Sequence, residues 1–184
     1  MSSDSPDATP PKPAARPLQG PNAFTIALAV IVADQLIKFW ILGSVFPSAC
    51  EPFHPSPELY TPCTVPVFGP FNLSMVWNQG VSFGLFRGEA EWVRWALSAF
   101  SLAVAIALGF WARRVERPLL GIAIGLVMGG AIGNLIDRVR LGAVADFLDF
   151  QDLWFPWVFN VADSGITIGV VLLLIDSVRQ DQKR

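Results

Sequence analysis

Residues 119–136 read LLGIAIGLVMGGAIGNLI and contain no charged side chain. A helix of about 20 apolar residues crosses the ~30 Å hydrocarbon core of a bilayer, so this stretch predicts a membrane-spanning helix. Glycine recurs at every fourth position within it, at Gly121, Gly125, Gly129 and Gly133. Such a stripe of small residues lets another helix approach closely. The stretch therefore predicts a span that packs tightly against neighbouring membrane helices.

Three further apolar runs are long enough to cross a bilayer, at residues 23–42, 92–111 and 158–178. Hydrophobic residues make up 53% of the chain and charged residues only 15%, which is typical of membrane proteins rather than of ordinary soluble domains. The 184 residues suit one domain. We therefore expect an all-α membrane protein with four transmembrane helices, in one domain that covers residues 23–178.

The basic residues are distributed unevenly about these spans. Arg87, Arg138 and Arg140 would lie on one side of the membrane, with Arg94 just inside it. The other side would hold eight basic residues: Lys12, Arg16, Arg113, Arg114, Arg117, Arg179, Lys183 and Arg184. Because cytoplasmic segments carry the excess of Lys and Arg, both termini are predicted to be cytoplasmic. The loops 43–91 and 137–157 are then extracytoplasmic.

Residues 1–22 are rich in Pro, Ser and Ala and lack hydrophobic periodicity, which predicts a disordered cytoplasmic tail. Residues 179–184 form a second, short cytoplasmic tail. The alternative is a cleaved signal peptide within residues 1–50. Asp34 and Lys38 interrupt its apolar run, and no small-residue cleavage site directly follows that run, so this alternative is disfavoured.

Charge and ligand counts exclude several classes of function. The net charge of −2 provides no basic field to attract nucleic acid, so no nucleic-acid partner is expected. Cys50, His54 and Cys63 lie together in one Pro-rich stretch, and zinc sites usually need three or four such ligands. We expect no metal and no other cofactor, although counting alone leaves a carboxylate-bound Mg²⁺ or Ca²⁺ open. The two cysteines either form a disulfide or remain free thiols.

The second half of the first extracytoplasmic loop has a different composition. Residues 65–86 are rich in β-branched and aromatic residues broken by glycine, which predicts short strands around turns. Aromatic side chains favour the interface between membrane and water. We therefore expect a small extracytoplasmic β-rich cradle at the membrane surface, together with a short loop helix.

Several polar residues lie in or beside the apolar segments. Asp137 and Asp163 each have an asparagine three residues upstream, Asn134 and Asn160, and Asp146 lies in an apolar run between them. A charged side chain at the centre of a bilayer costs roughly 2.5–3.5 kcal/mol on insertion scales, so such residues indicate function by default. Asp34 and Lys38, four residues apart, share a helix face and are expected to form a salt bridge.

Two neighbouring carboxylates can activate a water molecule without a metal or a nucleophilic side chain. Because like charges at close range do not both ionise, one carboxyl serves as base and the other as acid. Spacing alone leaves open which two of Asp137, Asp146 and Asp163 form the pair. Asp137 directly precedes Arg138, so ionic or hydrogen-bonded contacts would neutralise it, which favours Asp146 and Asp163. The alternatives are a small proton-coupled transporter or a polar network that only packs helices.

Five motifs in the chain resemble those of one family. They are DQLIK (34–38), NQGVSFGLF (78–86), GNLIDR (133–138), VADF (144–147) and FNVAD (159–163). In this order, and placed against four spans, they resemble the lipoprotein signal peptidases, also called signal peptidase II. The similarity runs from about residue 24 to residue 178. The Pro-rich insert around residues 47–66 and the long N-terminal tail depart from the family pattern, which leaves substrate selection by the outer loop open.

The resemblance implies an intramembrane aspartic endopeptidase of the bacterial cytoplasmic (inner) membrane. Its substrate would be a diacylglyceryl-modified prolipoprotein, cut on the N-terminal side of the lipidated Cys by an activated water. Membrane lipid and a globomycin-type inhibitor are the other implied ligands, and a monomer is expected. The implied catalytic pair is Asp146 and Asp163. The residues implied to bind the substrate or brace the site are Asn134, Asp137, Arg138, Asn160, Asn78 and Gly80. Asp34 and Lys38 are implied to give structural support.

Overall fold

The computed structural model describes residues 22–59, 62–80 and 90–182. The predicted N-terminal tail, apart from Asn22, and most of the 78–86 motif lie outside these ranges. Within these ranges the chain forms five α-helices, at Ala23–Trp40 (α1), Phe46–Ala49 (α2), Ala90–Ala112 (α3), Pro118–Leu141 (α4) and Val161–Asp181 (α5). A π-helical turn at Ile41–Val45 joins α1 to α2 without a break, and a 3₁₀ turn covers Gln151–Leu153.

In the part of the chain that the structure describes, four helical segments are long and apolar enough to cross a membrane, which confirms the predicted number of spans. They are Ala23–Ala49, Glu91–Ala112, Pro118–Leu141 and Val161–Asp181. Large apolar side chains point outward along them: Phe39 is 78% exposed, Phe100 67% and Leu174 62%. In water such surfaces would cause aggregation, whereas in a bilayer they face lipid. The bundle is therefore a multi-pass membrane protein.

Helix α4 lies at the centre of the bundle and packs against α1, α3 and α5. The predicted glycine stripe is the reason for the close approach of α1. A Cβ atom at Gly129 would lie 2.7 Å from the carbonyl oxygen of Ala27 and 2.8 Å from the Cβ of Val30. One turn further, a Cβ at Gly133 would lie 2.8 Å from the Asp34 carboxylate. The stripe thus brings the polar face of α1 directly against α4.

A four-stranded antiparallel sheet lies at one end of the bundle. Its strands are Thr64–Phe68 (β1), Phe71–Asn78 (β2), Val144–Asp149 (β3) and Val158–Phe159 (β4), and they are adjacent in chain order. Beneath the sheet, a core forms from the end of α1, α2 and the sheet itself; its buried members are Ile41, Phe46, Cys63, Leu73, Met75, Ala145 and Phe147. This sheet is the predicted β-rich cradle.

A disulfide between Cys50 and Cys63 joins the end of α2 to the approach of β1, with the two Cα atoms 5.9 Å apart. The sequence left the bridge and the free thiols equally open. Because Cys63 is buried in the core beneath the sheet, the bridge fastens the Pro-rich insert to the cradle.

Several boundaries differ from the sequence predictions: the first span continues to Ala49 and the last to Asp181. Three further differences bear on the polar residues. Helix α4 continues to Leu141, past the predicted start of the loop at residue 137, so Asp137 and Arg138 are helical; Gly142, at φ 85°, ends it. Asp146 lies in strand β3 and not in a loop. The fourth span begins at Val161 because Asn160 caps it, and the two residues that precede Asn160 form β4.

Candidate active site

Strand β3 places Asp146 in the interior, where its side chain is 2% exposed. Its backbone pairs with Val76 of β2, and this register brings the end of β2 to the same site. The Asn78 Nδ2 donates to Asp146 Oδ2 over 3.0 Å. The Asn160 Nδ2 donates to the other oxygen, Oδ1, over 2.6 Å. Both oxygens of this carboxyl group are therefore held by amide donors from different elements.

The first turn of α5 places Asp163. Asn160 is the N-cap of this helix, and its Oδ1 accepts from the Asp163 backbone N–H over 2.9 Å. In return, Asp163 Oδ2 accepts from the Asn160 N–H over 3.3 Å. This reciprocal arrangement is a capping box, and it explains the spacing of three residues between Asn and Asp that the sequence shows. The second oxygen, Oδ1, accepts from the Asn134 Nδ2 over 2.7 Å.

Two asparagines connect Asp146 to Asp163. The Asn160 Nδ2 carries two hydrogens, and it donates both to Asp146 and to the Asn134 Oδ1, the latter over 3.1 Å. Asn134 then donates through its own Nδ2 to Asp163. The orientation of both amide groups is thereby fixed. The structure brings together the two carboxyl groups that the sequence favoured, at the meeting point of β3, α4 and α5.

The electrostatic environment of Asp146 disfavours its charged form. Burial, and to a smaller extent the nearby charge of Asp163, raise the pKa of Asp146 to about 7. Hydrogen bonds from Asn78 and Asn160 and the charge of Lys38 act against this rise. Near neutral pH, this carboxyl group is therefore able to hold a proton and to release it.

Asp137 does not join this pair. Its Oδ2 lies 2.6 Å from the Lys38 Nζ, which also lies 2.9 Å from the Asp34 Oδ2. The predicted Asp34–Lys38 salt bridge is confirmed, and it extends to a third member. The sequence predicts that ionic or hydrogen-bonded contacts neutralise Asp137, which directly precedes Arg138. The residue that forms the ion pair with Asp137 is Lys38 on α1. The charge of Arg138 interacts with Asp163, with Asp146 and, least of the three, with Asp137.

Two residues that the sequence reasoning did not assign to the site contribute to it. Gln35 Nε2 donates to Asp137 Oδ1 over 3.0 Å and to Asp34 Oδ2 over 3.1 Å. Its position inside the DQLIK motif was the available signal. Arg94 Nε donates over 2.7 Å to the carbonyl oxygen of Arg138, at the open end of α4. The sequence places Arg94 near the end of an apolar span but does not predict its contact with Arg138.

Gly80 shapes the turn after β2. Its φ of 85° is a conformation that side chains disfavour, and its N–H donates to Asn78 Oδ1 over 2.8 Å. This contact orients the Asn78 amide toward Asp146. Across the described ranges of the chain, no three His, Cys, Asp or Glu side chains converge in a way that could hold a metal ion.

The fold and the site thus define a multi-pass helical membrane protein with two coupled carboxyl groups at one end of its bundle. The family model described as "Signal peptidase (SPase) II" matches residues 26–179. A lipoprotein signal peptidase of Caulobacter vibrioides is 48% identical over 167 residues, which cover 90% of this chain and 92% of the relative. Another from Methylorubrum extorquens is 42% identical over 153 residues, with 83% and 82% covered. The chain belongs to the signal peptidase II family.

A solved structure described as a bacterial membrane enzyme, determined by the in meso method at 2.3 Å resolution, has a similar fold. The TM-score is 0.69 at 26% identity, and the alignment covers 88% of this chain and 90% of the other. The similarity extends over nearly the whole of both chains, so it includes the helical bundle and the sheet together.

Proposed function

We propose that this protein is an aspartic peptidase that removes the signal peptide from lipoprotein precursors, with Asp146 and Asp163 as its catalytic pair. The observation that carries the proposal is the connection of these two carboxyl groups through Asn160 and Asn134. Membership of the signal peptidase II family supports the substrate class. The substrate is a precursor whose Cys carries a diacylglyceryl group, and the cut falls on the N-terminal side of that Cys.

The two carboxyl groups take different roles in this mechanism. Asp146, with its raised pKa, holds the proton, and Asp163 is the base. Asp163 takes a proton from water while the water oxygen attacks the carbonyl carbon of the scissile amide. Asp146 gives its proton to the carbonyl oxygen, which produces a neutral tetrahedral diol. No covalent intermediate with the enzyme forms.

Breakdown of the diol restores both groups. Asp146 takes back a proton from one diol hydroxyl as the carbonyl re-forms, and Asp163 gives the proton that it took from water to the departing amide nitrogen. The C–N bond breaks, and the products are a carboxylic acid and an amine. Arg138 is the neighbouring cation, and its positive charge offsets the negative charge of the ionised carboxyl group.

The location of the site supports an orientation in the membrane. Both carboxyl groups lie at the end of the bundle that carries the sheet. Arg117, which precedes α4, and Arg179, in the last turn of α5, lie at the opposite end. With basic residues on the cytoplasmic side, the termini are cytoplasmic and the pair faces the outer boundary. The lipid chains of a substrate can then remain in the bilayer while its scissile bond reaches the pair.

A cleavage assay with purified protein tests the proposal. Asp146→Asn and Asp163→Asn should each reduce the cleavage rate of a diacylglyceryl-modified precursor by about 10²- to 10⁴-fold, the range for loss of a general acid or base. Asp149→Asn is a matched control, because Asp149 is also buried on β3 but is bonded to Ser74 over 2.5 Å. Full cleavage by both pair variants would refute the aspartic mechanism.

The same assay tests the finer expectations about ligands. An unmodified precursor should be cleaved poorly, because it lacks the lipid anchor that holds it at the site. A globomycin-type cyclic peptide should inhibit the wild-type protein, and the active species should be a monomer in detergent. If the chain is instead a proton-coupled transporter or a helix-packing subunit, the purified wild-type protein will not cleave the precursor.

A further inference from the structure

A buried ion cluster on α1 and α4 is connected to the chain directly before each of the two aspartates. The cluster consists of Asp34, Lys38 and Asp137, of which none is more than 3% exposed. Lys38 Nζ contacts Asp34 Oδ2 and Asp137 Oδ2 at 2.9 and 2.6 Å. One ammonium group therefore holds two carboxylates that belong to different helices. We refer to these three residues as the lysine bridge.

The first arm of the lysine bridge reaches the start of α5. Asp34 Oδ1 accepts from the backbone N–H of Ala162 over 3.0 Å, and Ala162 directly precedes Asp163. N–H groups in the first turn of a helix have no partner within that helix. Asn160 satisfies the N–H of Asp163 from within α5, while Asp34 satisfies that of Ala162 from α1. The helix start that carries Asp163 is thus capped from two directions.

The second arm reaches strand β3. Asp137 Oδ2 accepts from the backbone N–H of Ala145 over 3.2 Å, and Ala145 directly precedes Asp146. Strand β4 pairs with β3 only at Leu148 and Asp149, so it does not extend to this N–H. The carboxylate of Asp137 supplies the hydrogen-bond acceptor that a neighbouring strand would otherwise supply. Each aspartate of the pair is thus fixed, one residue upstream, by one carboxylate of the lysine bridge.

We propose that Lys38 is a positioning residue that sets the separation of Asp146 and Asp163 by holding the two backbone anchors together. This inference rests on the proposed function and deepens it. Strand β3 and helix α5 are separate elements. Lys38 connects the two carboxylates, Asp137 and Asp34, that hold the backbone of each. The role assigned to the cluster is geometric, since a buried ion pair is weak evidence of added stability. A displacement of about 1 Å at reacting groups can reduce the rate by about 100-fold.

Two variants and a matched control test the positioning role. Lys38→Met removes the link between both arms, and Asp34→Ala removes only the anchor at Ala162. Asp176→Ala is the control, because Asp176 is also a buried carboxylate in a span, paired with Arg117 at the far end of α4 and α5. Steady-state cleavage of a lipidated precursor gives kcat and KM, and hydrogen–deuterium exchange reports on residues 143–147 and 160–164.

Lys38→Met should reduce kcat by about 100-fold and leave KM unchanged within error, since the anchors set the geometry of the reacting groups. Exchange should increase in both segments. Asp34→Ala should increase exchange in residues 160–164 alone, which keeps the test decisive if Lys38→Met does not fold. The control should lose thermal stability with kcat unchanged. An unchanged kcat in the Lys38 variant, or an equal loss of kcat in the control, would overturn the proposal.

The companion variant Asp146→Asn separates this inference from the proposed function. If Asp146→Asn cleaves normally, the aspartic mechanism fails, and the positioning role fails with it. If Asp146→Asn is inactive while Lys38→Met keeps the wild-type kcat, only the positioning role fails.

Discussion

Substitution of Gly129 by alanine should destabilise the bundle, because α1 leaves no space for a side chain there. The new Cβ would lie 2.7 Å from the Ala27 carbonyl oxygen, 2.8 Å from the Val30 Cβ and 2.9 Å from the Ala27 Cα. Two of these three atoms belong to the backbone and cannot rotate away. The two helices must therefore separate, which in packed cores costs about 1–3 kcal/mol.

The helix propensity of alanine offsets part of this cost. Alanine is favoured over glycine in a helix interior by about 1 kcal/mol. Because the clash is with backbone atoms, the overpacking cost should lie in the upper part of its range. After the gain in helix propensity is subtracted, the net destabilisation is about 1–2 kcal/mol. Since α1 carries two members of the lysine bridge, we also expect a lower cleavage rate.

Unfolding in mixed micelles, induced by a rising mole fraction of sodium dodecyl sulfate and followed by circular dichroism, measures this difference. Gly109→Ala is the matched control on α3, because its nearest neighbour, the Met128 Sδ, would be 3.8 Å from the new Cβ. At Gly109 the higher helix propensity of alanine is not offset by a clash, so the free energy of unfolding should increase by up to about 1 kcal/mol. Equal stability changes for the two variants would refute the close packing of α1 on α4.

Two further predictions concern pH and the disulfide. In the proposed mechanism the protonated form of Asp146 is the acid, and the pKa of Asp146 is about 7, so kcat should fall as the pH rises through that value. Asn78→Ala removes a hydrogen bond that lowers this pKa, so a pH–rate profile should show the fall at higher pH; a shift in the opposite direction would contradict the assignment. Replacing Cys50 and Cys63 by serine opens a loop with a sequence separation of 13, which should reduce stability by about 3 kcal/mol. Thermal unfolding measures this loss: reductant should lower the melting temperature of the wild type and leave that of the serine variant unchanged.

The spans were predictable because the thickness of a bilayer sets the length of an apolar helix, whatever the rest of the fold does. The Asn160–Asp163 spacing was equally informative, since a capping box is a local motif of one helix turn. In both cases the signal lies within a short segment. Local signals of this kind identified the spans and half of the candidate pair.

The remaining features depend on partners that are distant in the sequence. The strand at Val144–Asp149 exists because it pairs with β2, which lies almost seventy residues earlier, as the Asn78–Asp146 separation of 68 shows. Asp137 forms its ion pair with a residue other than the adjacent Arg138 for a geometric reason. Residues i and i+1 do not face each other on a helix, so the neighbour in sequence points elsewhere. The actual partner, Lys38, comes from another helix.

The surroundings of the two aspartates differ in a way that supports separate roles. Asp163 lies in the first turn of α5, where the positive end of the helix dipole favours a negative charge. Asp146 lies on a strand, which provides no comparable dipole, and it is 2% exposed. When two carboxyl groups share one proton, the proton stays on the group whose charge is less stabilised. The secondary structure beneath each aspartate thus favours Asp163 as the base and Asp146 as the acid, independently of the identity of the substrate.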